Sequence, residues 1–190
     1  MPEDGLTDVL ETGQRALLLD DGDAKAHLGL AVAHLFAWQH DRASHHMQRA
    51  VALNPNDDLV VAEHARLLTA TGTPEEGLAR IRESMRLNPY HPNWYWNIEG
   101  LCLHIAANYQ KAIEAYSRID HPHFWVEAYL AACYAMCGKD ELAAHHRGRL
   151  LAACPDFNMT WFRRGLPVSS RPHLERLLEG FRRAGIQTRR

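Results

Sequence analysis

Ala50-Val-Ala-Leu-Asn-Pro55 and Met85-Arg-Leu-Asn-Pro89 are two versions of one phrase, an apolar helix end followed by Asn-Pro, and their prolines stand 34 residues apart. Proline lacks the amide hydrogen a helix needs and its ring crowds the preceding turn, so each marks a helix exit. Pro155, in Ala152-Ala-Cys-Pro155, follows Pro89 by 66 residues, close to two further periods. Recurrence at a fixed spacing of this size predicts stacked structural units instead of a single globular centre.

A period of about 34 residues divided into two helices is the length of the tetratricopeptide (TPR) unit. The units fall at 24–57, 58–91, 92–123 and 124–157. Paired helices whose axes lie about 8–10 Å apart need small residues where they cross. Ala31, Ala65, Gly100 and Ala131 fill that site in the first helix of each unit, and Ala43, Gly77, Ala112 and Ala143 fill it in the second. Gly72 and Gly138 fall at the turn within a unit, where a positive φ is cheap for glycine. Asp57 and Asp58 are placed to cap the first helix of the second unit, and Thr73-Pro-Glu-Glu76 reads as a capped helix start. The expected fold is all-α: a right-handed α-solenoid of stacked antiparallel helix pairs, a TPR superhelix with a C-terminal capping helix.

Both ends depart from the repeat. Residues 1–23 hold Leu6 to Leu19, which read as the second helix of a unit lacking its first; Asp20-Asp-Gly-Asp23 takes the proline-exit position. A half-built unit exposes apolar area, so the expectation is a longer parent protein or a partner covering this end. Residues 158–190 are assigned to the cap. There, Leu174, Leu177, Leu178 and Phe181 form an i, i+3, i+4, i+7 stripe, and Gly185 suits the helix end.

The chain of 190 residues carries a formal net charge of −2, unevenly spread. Residues 1–146 hold 11 Lys and Arg against 20 Asp and Glu, whereas residues 147–190 hold 10 against 3. Arg147, Arg149, Arg163, Arg164, Arg171, Arg176, Arg182, Arg183, Arg189 and Arg190 build the basic end, either a solvated surface or a handle for an acidic partner. Nucleic-acid binding is disfavoured, because aromatics interleaved with these arginines are few beyond Trp161, Phe162 and Phe181. Cys102, Cys133, Cys137 and Cys154 match no zinc or redox spacing and read as free thiols. With no apolar leader and no apolar run of about 20 residues, the chain reads as cytoplasmic, with no membrane partner.

Leu87-Asn-Pro-Tyr-His-Pro-Asn-Trp-Tyr-Trp-Asn-Ile98 resembles the repeat region that follows the catalytic domain in bacterial class III adenylate/guanylate cyclases of the rhizobial type. Tyr109-Gln-Lys-Ala-Ile-Glu-Ala-Tyr116, Phe124-Trp-Val-Glu-Ala-Tyr-Leu-Ala-Ala-Cys133 and the ending Leu174 to Gly185 are similar to the same region. The resemblance covers roughly residues 24–186 and is confined to the array; similar arrays also follow winged-helix DNA-binding domains. No part of the cyclase catalytic domain is present, so the resemblance implies a regulatory or scaffolding module usually joined to an output domain. Glu99, in place of leucine beside Gly100, and Arg147, in place of a large apolar residue, depart from the pattern.

First helices line the concave side of such an array. In this register the lining is Leu28, Val32, Leu35 and Phe36, then Leu59, Ala62, Arg66 and Thr69, then Trp94, Asn97, Leu101, His104 and Ile105, and finally Trp125, Ala128, Ala132 and Met136. Two tryptophans in an apolar groove are anchors suited to a docked peptide or helix. The competing expectation is that the C-terminal helix folds back, or neighbouring helices close, over these residues. A clamp for a C-terminal carboxylate is excluded, since its sites hold Leu28, Val32, Glu63, Trp94 and Ile98. The thirteen histidines include His45-His46 and His145-His146, but neighbours on a helix diverge by about 100° and do not chelate together. No metal, cofactor or catalytic residue is expected: the chain has no nucleophile elbow, phosphate loop or metalloprotease helix. The leading expectation is a non-catalytic module binding a protein or peptide in the groove. The alternative is a self-association module, a homo-oligomer built by acidic and basic parts, that sets the geometry of an attached output domain.

Overall fold

The computed structural model describes residues 3–157 and 159–186, with the backbone alone for residues 3, 4, 161 and 164. Arg189, Arg190 and the side chains of Trp161 and Arg164 therefore lie outside the described residues. All regular elements among the described residues are helices. After α1 (Glu3–Leu19) come four antiparallel pairs: α2 (Ala24–Phe36) with α3 (His40–Leu53), α4 (Asp58–Thr71) with α5 (Pro74–Leu87), α6 (Trp94–Ile105) with α7 (Tyr109–Tyr116), and α8 (Phe124–Met136) with α9 (Asp140–Ala153). A short α10 (Met159–Arg164) and α11 (Arg171–Arg183) complete the chain. Each pair packs internally and then against the next, which makes an α-solenoid.

The starts and stops follow from local chemistry. Asp57 Oδ1 accepts from the amides of Leu59 and Val60, and Asp23 Oδ1 caps α2 in the same way through Lys25 and Ala26. Thr73 stands before Pro74 without making a cap bond; its hydroxyl donates to the Leu68 carbonyl instead. Asp58 ties the second pair to the third, accepting from Tyr95 Oη at 2.7 Å and Asn88 Nδ2 at 2.8 Å. Every turn within a pair contains one residue of positive φ: Trp38, Gly72, Ala107 and Gly138. Glycine alone signalled two of them, because Trp38 and Ala107 adopt the left-handed region against their preference.

The small-residue sites lie at the helix crossings. Ala31, Ala65 and Ala131 are buried, as are Ala43, Ala112 and Ala143. Gly100 is indispensable, because a Cβ there would run into the ring of Tyr116. Glu99 is buried and accepts from Arg82 Nε at 2.8 Å, so the departure from leucine is compensated by an ion pair. Arg147 reaches across to the carbonyl of Ala184 at the end of α11. The largest apolar cluster joins the third and fourth pairs to α10 and α11; a smaller one joins the first and second pairs.

Candidate protein-binding groove

The C-terminal segment does more than close the last repeat. After α10, the chain Leu166-Pro-Val-Ser169 runs back along the array without regular structure, the Val168 amide donating to the Leu166 carbonyl (2.7 Å), and its first three residues are buried. The Ser169 amide donates to the Ala70 carbonyl at the end of α4 (2.9 Å), its hydroxyl approaches the same oxygen, and His40 Nε2 donates to the Pro167 carbonyl (2.8 Å). The chain then reverses into α11, which lies against α8 and α6. Leu177 and Phe181 enter the main cluster, while Leu174 meets Ile105 and Val168 in a satellite cluster. Arg176 Nη1 donates to the Ile105 carbonyl at 2.7 Å. The returning segment thus terminates α4 and α6, satisfying carbonyls those helices leave unpaired.

The residues expected to line the groove separate into three groups. Leu28 and Leu35 are buried between the first two pairs, with Val32 partly buried against them. Ala62, Thr69, Ala128, Ala132 and Ile105 are buried too, and the Thr69 hydroxyl donates to the Ala65 carbonyl. His104 is a correction: it is fully enclosed between the rings of Tyr109 and Tyr129, neither ring nitrogen has a partner, and burial drives its pKa down to about 3. It is a neutral core residue, not a polar point of a groove.

Leu101 and Met136 form the second group, covered by the returning segment. Leu101 packs against the Ile105, Val168 and Leu174 cluster, and Met136 lies beside Gly180 of α11. The amphipathic stripe of α11 disclosed that it must be buried, but the buried Leu166-Pro-Val stretch gave no periodic signal and was missed.

The third group remains accessible, mainly along the leading halves of the first helices. Leu59 is 40% exposed. Phe36, Arg66, Trp94, Asn97 and Trp125 are part-exposed. Arg66 forks onto Glu63 (2.8 and 3.3 Å) and lies 5.5 Å from the Trp94 ring centroid. Trp125 stacks on His123 with centroids 4.2 Å apart. The Asn97 side-chain oxygen is buried without a partner. Among these groups Arg66, paired with Glu63, stands by Trp94, and Trp125 is held by His123, with Phe36 and Leu59 as part-exposed apolar residues on the other first helices. Such residues offer contact area and no nucleophile–base geometry.

Among the described residues no group of three or more His, Cys, Asp or Glu could hold a metal ion, and the four cysteines are free. Burial pushes the Cys102 thiol up to about 12, so it is not a reactive thiolate. No described helix is long and apolar enough to cross a membrane.

Solved structures share this architecture. PilW, a widely conserved type IV pilus biogenesis factor, superposes with a TM-score of 0.73 at 14% identity, over 94% of this chain and 82% of PilW. TTC0263, a thermophilic TPR protein in Thermus thermophilus, gives 0.64 at 19% identity, over 89% of both chains. The fold is that of the tetratricopeptide repeat proteins. YrrB, a TPR protein described as having an unusual peptide-binding site, matches with a TM-score of 0.60 at 18% identity over 80% of each chain. Identities this low establish the tetratricopeptide fold alone. No protein-family model matches the chain, and no curated protein matches it.

Proposed function

We propose that this chain is a non-catalytic protein-interaction module whose concave face binds an apolar, basic peptide or helix. One observation carries the reading: the face already holds a segment of its own chain, first as an irregular stretch hydrogen-bonded through its main chain at Ser169, then as the amphipathic helix α11. The same face, beyond that segment, continues as the accessible wall of Phe36, Leu59, Arg66, Trp94, Asn97 and Trp125. The excess of acids over residues 1–146 favours a basic ligand. The peptide-binding site described for YrrB belongs to a protein of the same fold and is consistent with this use. The resemblance to rhizobial-type cyclase arrays supports a regulatory role in a larger cytoplasmic signalling protein.

Peptides selected from a displayed random library against the full chain test the site. Replacing Trp94 and Trp125 by alanine should cost them about 2 kcal/mol or more, roughly thirtyfold in affinity, with helicity unchanged by circular dichroism. A Leu59→Lys variant, altered at an exposed position, should weaken them as well. Peptides that bind both variants as well as the parent chain would refute the groove.

A further inference from the structure

The two ends of the array differ in shape and in charge. At the first end, α1 packs against α2 and leaves a cleft of about 380 Å³, lined by Val9, Thr12, Gly13, Ala16, Ala26 and Gly29, with Asp8, Asp23 and Lys25 at its edge. Gly13 stands one period before Met47 and two before Ile81, both of them buried. At Gly13 the place of that side chain is taken by Leu30 of α2, which a Cβ there would meet at 2.8 Å, so the two helices lie close at this point of the cleft wall. Val9 is 40% exposed beside the cleft, and Leu18 and Leu19 project into solvent at 86% and 91%. Leucines this bare on a helix beside a cleft form an exposed apolar surface among the described residues. On the same two helices and the turn between them stand Asp8, Glu11, Asp20, Asp21 and Asp23 against Arg15, which pairs with Glu11 at 3.4 Å, and Lys25, so acids remain in excess.

The opposite end carries the complementary charge. Arg182 and Arg183 at the close of α11 share the single carboxylate of Glu179 (2.7 and 2.9 Å), which leaves a net positive site. Arg147 brings the end of α11 beside α9 through the Ala184 carbonyl, and Leu151, one turn beyond Arg147 on α9, is exposed. Exposed leucines and unbalanced charge of one sign at one end therefore face the same apolar chemistry with the opposite sign at the other.

We propose that the α1–α2 cleft receives the basic C-terminal end of a second copy of this chain, head to tail. Different surfaces meet in such a contact, so every assembly keeps one free acidic end and one free basic end, and assemblies lengthen with concentration. The charge component is screened by salt.

Two variants separate the ends. Leu18→Lys/Leu19→Lys alters the acidic end at solvent-exposed positions, and Arg182→Glu/Arg183→Glu reverses the basic end. Sedimentation velocity on the full chain should show concentration-dependent association at low salt that weakens at high salt. Each double variant should be monomeric. An equimolar mixture of the two should form dimers, since it contains one intact acidic end and one intact basic end. A parent chain that stays monomeric at every concentration overturns the proposal, as does a double variant that still associates. A mixture that remains monomeric excludes the head-to-tail arrangement. None of the four residues lines the groove, so peptide binding and self-association fail independently.

Discussion

Repeat 1 (α2–α3) and repeat 4 (α8–α9) share a register but surround the same histidine with opposite chemistry. In repeat 1, His46 meets His27, Nδ1 to Nδ1 at 3.0 Å, and stacks on His34 with centroids 5.5 Å apart. In repeat 4 the corresponding His146 meets Glu127 Oε2 at 2.7 Å and stacks on Tyr134 with centroids 5.1 Å apart. His27 Nε2 lies 3.2 Å from the Asp21 carbonyl, which can only accept. The His27 proton therefore sits on Nε2, and its Nδ1 accepts from His46. Burial, followed by the charges of His27, His34 and His45, lowers the His46 pKa to about 4. The helix hairpin is the same backbone device in both places; its electrostatics are decided by which residues stand one helix away.

Removing the carboxylate from repeat 4 is the strongest way to break this contrast. Glu127 is buried and also accepts from Arg149 Nη2 at 2.9 Å. Glu127→Ala should cost about 1–3 kcal/mol in urea denaturation, because a buried hydrogen-bonded charge site loses its centre. Next in size is the turn that follows the first helix, where Gly138 of repeat 4 has φ +70° and Trp38 of repeat 1 has φ 60°. A Cβ at Gly138 would meet nothing within 4 Å, so Gly138→Ala isolates the backbone term and should cost about 1 kcal/mol in the same assay.

The contrast sharpens with pH. His46 has a folded pKa of about 4 against the ordinary 6.5, so the unfolded chain takes up the proton first. Its contribution to stability is therefore lost as pH falls from about 6.5 towards 4. Placing repeat 4's acid in repeat 1, His27→Glu, should move the His46 titration upward, read from its ring resonances by NMR. An unmoved titration would show that burial alone sets it. The enclosed His104 adds acid sensitivity of the same sign through its pKa of about 3, and it is untouched by that substitution.

Much of the fold was legible because it is written in local constraints. Proline exits, the capping Asp57 and the small residues at helix crossings act within one or two turns of chain, so their spacing pointed to an all-helical stack. The groove was legible in part. Leu59, Trp94 and Trp125 stay accessible, whereas Leu28, Leu35 and His104 are enclosed by neighbouring helices, which the pattern of a single helix does not show. Helix α11 folds back over part of the expected lining, covering Leu101 and Met136, while Leu59, Trp94 and Trp125 stay at least part-exposed.

The amino-acid sequence by itself determined the period, the helix limits and the apolar stripe of α11, since each depends on the conformational preferences of residues a few positions apart. Only the tertiary structure decided where that stripe goes, that Leu166 to Val168 lies buried beside it, and that His46 faces histidines while His146 faces a carboxylate. Those are contacts between residues far apart in the chain, and their energies depend on which surfaces the stacking brings together.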